Sequence, residues 1–107
     1  MASYSTLSSE QAQQLLSQGQ AVMVDIRDDK SYLAAHASGA EHLTNDNLWD
    51  FLQQTSRSTA VIVMCYHGIS SQSAAKFLAE EQGFQQVYSL EGGFEAWEKG
   101  FPVTREQ

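Results

Sequence analysis

The sequence predicts one α/β domain, with a central, mainly parallel sheet of about five strands and helices on both faces. Three observations predict it. Two apolar runs, Ala21 to Ile26 and Ala60 to Met64, do not alternate with polar residues, the pattern of strands buried on both faces. Segments of helical periodicity lie between these and weaker strand-like runs, and strand–helix alternation is the mark of a parallel sheet. The chain has 107 residues, 42% of them hydrophobic, and a single proline, which suits one core without disulfides or a structural metal.

Each element has a local reason. Tyr4-Ser5 is a weak first strand. Ser8 and Gln11 form a capping box, after which Ala12, Leu15 and Leu16 recur at helical spacing and Gly19 stands where a C-terminal cap belongs. The first strong strand, rich in β-branched residues, follows at Ala21–Ile26. A short helix around Ser31–Ala34 and a weak strand at Glu41–Leu43 come next. A helix from Asp46 to about Thr55 places Leu48, Phe51 and Leu52 on one face. The second strong strand, Ala60–Met64, ends directly at Cys65. A helix from Ser71 to Gln82 turns Ala74, Ala75, Phe77 and Leu78 inward, with Gly83 beyond its end. A third apolar run, Val87–Ser89, and a last helix from about Phe94 to Lys99 complete the order before Phe101-Pro102.

Composition excludes several classes. Six Lys and Arg against 13 Asp and Glu give a net charge of -7, and no basic stripe exists to bind a phosphate backbone, so no nucleic-acid partner is expected. No apolar run approaches the roughly 18 residues needed to span a bilayer. The first residues carry neither the basic flank nor the apolar stretch of a signal peptide, so the expectation is a cytoplasmic protein with no membrane partner. The single cysteine, Cys65, rules out an intramolecular disulfide and a Cys-rich zinc site. His36, His42 and His67 show no metal-ligand spacing, and neither metal nor cofactor is expected.

Chemistry concentrates at Cys65-Tyr66-His67-Gly68-Ile69-Ser70-Ser71. A buried strand stops, a short loop turns and a helix begins. In parallel sheets ligands sit outside the carboxyl ends of the strands. A curled loop there aims successive amides into one concavity, and the helix start adds its own free N–H groups. Gly68 supplies a conformation that other residues resist. Ser70 and Ser71 are suited to capping the helix. A cysteine at such a mouth ionises readily, and its thiolate is a nucleophile. The competing reading, a small buried hydrophobe, does not account for the glycine, the serine pair and the helix start together.

The chain resembles the single-domain rhodaneses, a sulfurtransferase family, and within it the short bacterial thiosulfate sulfurtransferases. The resemblance rests on Val24-Asp25-Ile26-Arg27, on His36 with Gly39-Ala40, and on Leu43-Thr44-Asn45-Asp46. It continues through Met64-Cys65-Tyr66-His67-Gly68 with Ser70-Ser71, and Gly92-Gly93-Phe94-Glu95-Ala96-Trp97. It implies a rhodanese-like single domain over residues 1–107 in which Cys65 is catalytic. Tyr66, His67, Gly68, Ile69, Ser70 and Ser71 then line the substrate site. Many relatives carry arginine at the second loop position, where this chain has Tyr66, and arginine or threonine at the sixth, where it has Ser70. Anion binding therefore falls to amides and the helix dipole.

The resemblance implies transfer in two steps. The Cys65 thiolate takes the sulfane sulfur of thiosulfate, sulfite leaves, and the persulfide passes its outer sulfur to cyanide or to a thiol acceptor such as thioredoxin. An alternative is a persulfide carrier loaded by a protein donor such as a cysteine desulfurase. Another is an idle binding module, against which Cys65 argues. Phosphatase chemistry would need an arginine where Ser71 stands, to clamp a phosphoryl group. Asp25 and Arg27 are read as a structural ion pair, His36 as a hydrogen-bonded structural group, and Gly92-Gly93 as a tight turn near the Cys65 loop. Phe94 and Trp97 are read as core, while Trp49 and Phe51 are candidates for the pocket border.

Overall fold

In the computed structural model, which describes residues 3–105, the chain opens with β1 (Ser5–Leu7), α1 (Ser9–Ser17), β2 (Ala21–Asp25), α2 (Asp29–Ala34), β3 (Ala35–Ala37) and β4 (Glu41–His42). It continues with α3 (Leu48–Gln54), β5 (Ala60–Met64), α4 (Ser70–Lys76), β6 (Val87–Leu90), α5 (Gly93–Trp97) and β7 (Val103–Arg105). Five strands form one sheet in the order β1-β6-β5-β2-β4, with every pairing parallel.

The non-alternating runs of β2 and β5 form its centre, paired from Ala21 with Ala60 to Asp25 with Met64. Their side chains divide by parity. Met23, Ile62 and Met64 join Ala12 of α1 and Phe94 and Trp97 of α5 in one core. Val24, Val61 and Val63 join Phe51 and Leu52 of α3 and Ala75 of α4 in the other. Helices thus cover both faces, as expected. Among the described residues no helix is long and apolar enough to cross a membrane.

The capping box of α1 is formed in both directions: the Gln11 amide donates to Ser8 Oγ at 3.1 Å, and the Ser8 amide donates to Gln11 Oε1 at 3.0 Å. Other boundaries moved. β1 is Ser5–Leu7 rather than Tyr4-Ser5, because its register is set by Tyr88 to Leu90 of β6. Helix α3 starts later than Asp46, because Asn47 is engaged with Thr44 in two hydrogen bonds, of 2.8 and 3.3 Å. Helix α4 starts at Ser70, and at Phe77 it widens into a π-helical turn over Phe77–Glu81. The ribbon of β3 against β7 was not anticipated. It pairs His36 with Thr104 across a long stretch of chain, a non-local contact with no periodic signature, so His36 lies in a strand rather than a loop.

Candidate active site

The order in which successive strands are added reverses between β2 and β5, which run parallel. From β2 the chain moves outward to β4 on one side, and from β5 to β6 on the other. A crevice opens outside the carboxyl ends at such a switch point. Asp25 and Arg27 reach it from β2, and Cys65 from β5.

Cys65 is buried, and two amides and one hydroxyl converge on its sulfur. The amides of Gly68 and Ser71 each lie 3.2 Å from Sγ, and the Ser71 hydroxyl lies 3.3 Å away. When the sulfur is a thiolate, all three donate to it. Burial pushes the Cys65 thiol up. The Ser71 hydroxyl and the amides of Ser71, Gly68 and His67 pull it down, and the net result lies below the ordinary value.

The loop faces the sulfur with its amides because its carbonyls are held elsewhere. The Phe94 amide donates to the Cys65 carbonyl at 2.8 Å, and the Glu95 amide donates to that of Tyr66 at 3.1 Å. The amides at the start of α5 thus turn the loop's negative ends away from the site. This requires close backbone approach. A Cβ on Gly93, whose φ is +56°, would sit 2.5 Å from the Cys65 carbonyl oxygen, and one on Gly68, at φ +85°, would sit 2.8 Å from the Gly92 nitrogen. Gly92-Gly93 therefore forms the tight strand-to-helix turn against the Cys65 loop that was read from the sequence.

The serine pair behaves differently from expectation. Helix α4 has no side-chain cap: its N-cap residue is Ile69. Ser70 is exposed, while the Ser71 hydroxyl is buried between Cys65 Sγ and Ser89 Oγ, 2.7 Å away. The stronger demand came from two buried polar groups rather than from solvent-accessible helix amides. Ser89 was missed by sequence reasoning. Its signal was a polar residue inside the apolar β6 run, which needs a partner once buried.

Tyr66, Ile69 and His67 stand at the exposed rim. The Tyr66 hydroxyl donates to the carboxylate of Asp28, the N-cap of α2, and lies 3.1 Å from Ser31 Oγ. The His67 imidazole is exposed, 3.5 Å from a Glu95 carboxylate oxygen. Trp49 is exposed on α3, whereas Phe51 is buried and stacked with Phe84. Phe94 and Trp97 are core residues, as read.

Asp25 and Arg27 form a buried ion pair, with Arg27 Nη2 2.7 Å from Asp25 Oδ2 and Nε 3.0 Å from both carboxylate oxygens. Nη2 also donates to the Ala35 carbonyl at 2.7 Å, and the guanidinium lies over the Phe94 ring at 4.1 Å. The pair ties β2 to β3 and α5, the structural role expected of it. His36 Nδ1 lies 2.8 Å from the Tyr32 carbonyl oxygen, and its ring stacks on Tyr32, again as a structural group.

A family model described as the rhodanese-like domain matches residues 8–100. Similar solved structures include the rhodanese-like domain of an Anabaena protein (24% identity, TM-score 0.79), covering 94% of this chain and 78% of that one. A rhodanese-related protein from Thermoplasma volcanium matches at 22% identity and TM-score 0.76, covering 94% of this chain and 98% of that one. A Rhodopseudomonas palustris protein of unknown function, described as a possible tyrosine phosphatase, matches at 28% identity and TM-score 0.77, covering 95% and 86%.

Proposed function

The chain belongs to the rhodanese-like domain family, and from that premise we propose that it is a thiosulfate sulfurtransferase working through a persulfide on Cys65. The observation that carries this reading is the convergence of two amides and one hydroxyl on a single buried sulfur.

The Cys65 thiolate attacks the sulfane sulfur of thiosulfate. A bond forms between the two sulfurs, and the pair from the broken S–S bond leaves with sulfite. The persulfide anion carries its charge one atom beyond Sγ, toward the loop mouth bordered by Tyr66, His67, Gly68, Ile69 and Ser70. The donors on Sγ are fixed before the reaction and stabilise the attacking thiolate, and later the returning one, without reorganising. Cyanide, or a thiol acceptor such as a thioredoxin-like dithiol, then attacks the outer sulfur and returns the pair to Cys65 as thiolate. The two half-reactions imply ping-pong kinetics. The resemblance of the loop to those of short bacterial thiosulfate sulfurtransferases supports thiosulfate as donor.

A second reading, a carrier loaded by a protein persulfide, is favoured by the acidic surface and the absence of a free cation in the loop. Phosphatase chemistry is disfavoured. Ser71 stands where a phosphate clamp needs arginine, and its hydroxyl is already spent on Cys65 and Ser89.

Intact mass before and after thiosulfate tests the proposal, on the reduced protein and on Cys65→Ser. A gain of one sulfur in the first alone, discharged by cyanide as thiocyanate, is the expected result. A reactive thiol that gains no sulfur from thiosulfate would exclude it as donor and favour the carrier.

A further inference from the structure

A cavity lies apart from Cys65, which does not line it. A cleft of about 530 Å³ opens on the α3–α4 side of the sheet, between the segment after β2, the segment after β4, and α4. Its apolar lining includes Ile26, Leu43, Leu48 and Phe77, each packed against the core yet only partly buried, with Ala74 and the buried Leu78 beside them. Phe77 is where α4 widens into its π-helical turn, an irregularity often found beside binding sites.

The opening of this cleft is acidic. Asp28 and Asp29 both line it, and the Asp29 side chain is 84% exposed. The carboxylate of Asp29 lies 3.5 Å from His42 Nδ1, and that of Asp28 accepts from the Ser31 amide at 3.3 Å and from the Tyr66 hydroxyl. Each retains accepting capacity, since an ionised carboxylate offers about four lone-pair sites. Arg27 also lines the cleft, but its charge is matched by Asp25 in the buried pair. An apolar floor under two carboxylates repels a dianion and complements an apolar body with a positive end.

We propose that this cleft is a second binding site, separate from the Cys65 sulfur, for a small amphiphilic cation: an aryl or alkyl body on the Ile26–Leu43–Leu48–Phe77 floor and an ammonium at Asp28 and Asp29. The volume suits a small molecule, since such sites span roughly 300–1,000 Å³. Asp28 belongs both to the cleft and to the Tyr66 hydroxyl, so an ammonium that draws on its carboxylate is felt in the Cys65 loop.

The test is a titration of the ¹⁵N-labelled full chain with phenethylammonium, followed by amide NMR, with 3-phenylpropanoate as the isosteric anion. It reads binding directly and does not depend on sulfur transfer. Saturable shifts are expected at Leu43, Thr44, Asn45 and Phe77, with a dissociation constant of about 1 mM for so small a ligand. The anion should bind about tenfold or more weakly. Asp29→Asn should weaken the cation about 2- to 5-fold. Asn45→Lys, at an exposed lining residue where folding is not at stake, should weaken the cation and favour the anion. Shifts at Tyr66 and His67 should accompany filling in the wild type and disappear in Tyr66→Phe. Equal affinity for cation and anion, no saturable shift in the cleft, or undiminished cation binding by both charge variants would overturn the proposal.

Discussion

Ser71→Ala removes one of the three donors to Cys65 and leaves the other two in place. The hydroxyl lies 3.3 Å from Sγ; the amides of Gly68 and Ser71 remain at 3.2 Å. A hydrogen bond to a charged group contributes about 1.5–3 kcal/mol. Sulfur is a weak acceptor, so the lower end applies, about 1.5 kcal/mol, or roughly a factor of 10 in thiolate population on the acid side of the titration. The hydroxyl favours the charged form, so its loss moves the thiol midpoint to higher pH. The rate of alkylation by iodoacetamide against pH reads this directly. The variant should react about tenfold more slowly at low pH and converge with the wild type once both thiols are fully ionised.

The same substitution orphans the buried Ser89 hydroxyl, 2.7 Å from Ser71 Oγ, at a cost of about 1–3 kcal/mol in urea unfolding. Ser71→Ala with Ser89→Ala should recover much of that loss without restoring alkylation at low pH. Linkage adds a pH-dependent part. Because the folded thiol lies below its ordinary value, its ionisation stabilises the fold above the unfolded midpoint, and this is lost as pH falls through the folded one. The stability deficit of Ser71→Ala should therefore grow in alkali. An alkylation profile that superimposes on the wild type would refute the role given to the hydroxyl.

Three further outcomes follow from the geometry. Gly93→Ala brings a Cβ to 2.5 Å from the Cys65 carbonyl oxygen at a left-handed φ, which costs about 1–2 kcal/mol before the loop moves. Unfolding should show at least that loss and alkylation a higher midpoint; a variant matching the wild type in both would mean α5 does not hold the loop. Asp25→Asn leaves a buried guanidinium without its counter-charge and should destabilise by about 3–5 kcal/mol in urea; a loss near zero would remove the structural role of the pair. Ser70→Arg adds a fixed charge at an exposed position opening α4 and should lower the KM for thiosulfate about 3- to 10-fold with kcat little changed; an unchanged KM would show that the amides already suffice.

What could be read from residues in order was local. The capping box of α1 needs only Ser8 and Gln11, three positions apart, and it formed in both directions. The central strands were legible because burial on both faces forces a continuous apolar run, as in Ala60–Met64. Cys65 stood out because a strand end, a glycine and a helix start are all written within seven residues. Boundaries were less legible where two demands compete. Asn47 engaged Thr44 before α3 began, and α4 widened at Phe77.

The sequence by itself determined the strand–helix order and the buried centre of the sheet, and it singled out Cys65 as the candidate nucleophile, because each depends on periodicity and on neighbours along the chain. Only the tertiary structure decided what surrounds that sulfur. Ser71 left the helix cap for Cys65 and Ser89, α5 drew the loop carbonyls aside through Phe94 and Glu95, and Asp28 reached Tyr66 from another loop. The reason is that a polar group is satisfied by whichever partner burial brings near, and that partner is chosen when β5 comes to lie between β2 and β6.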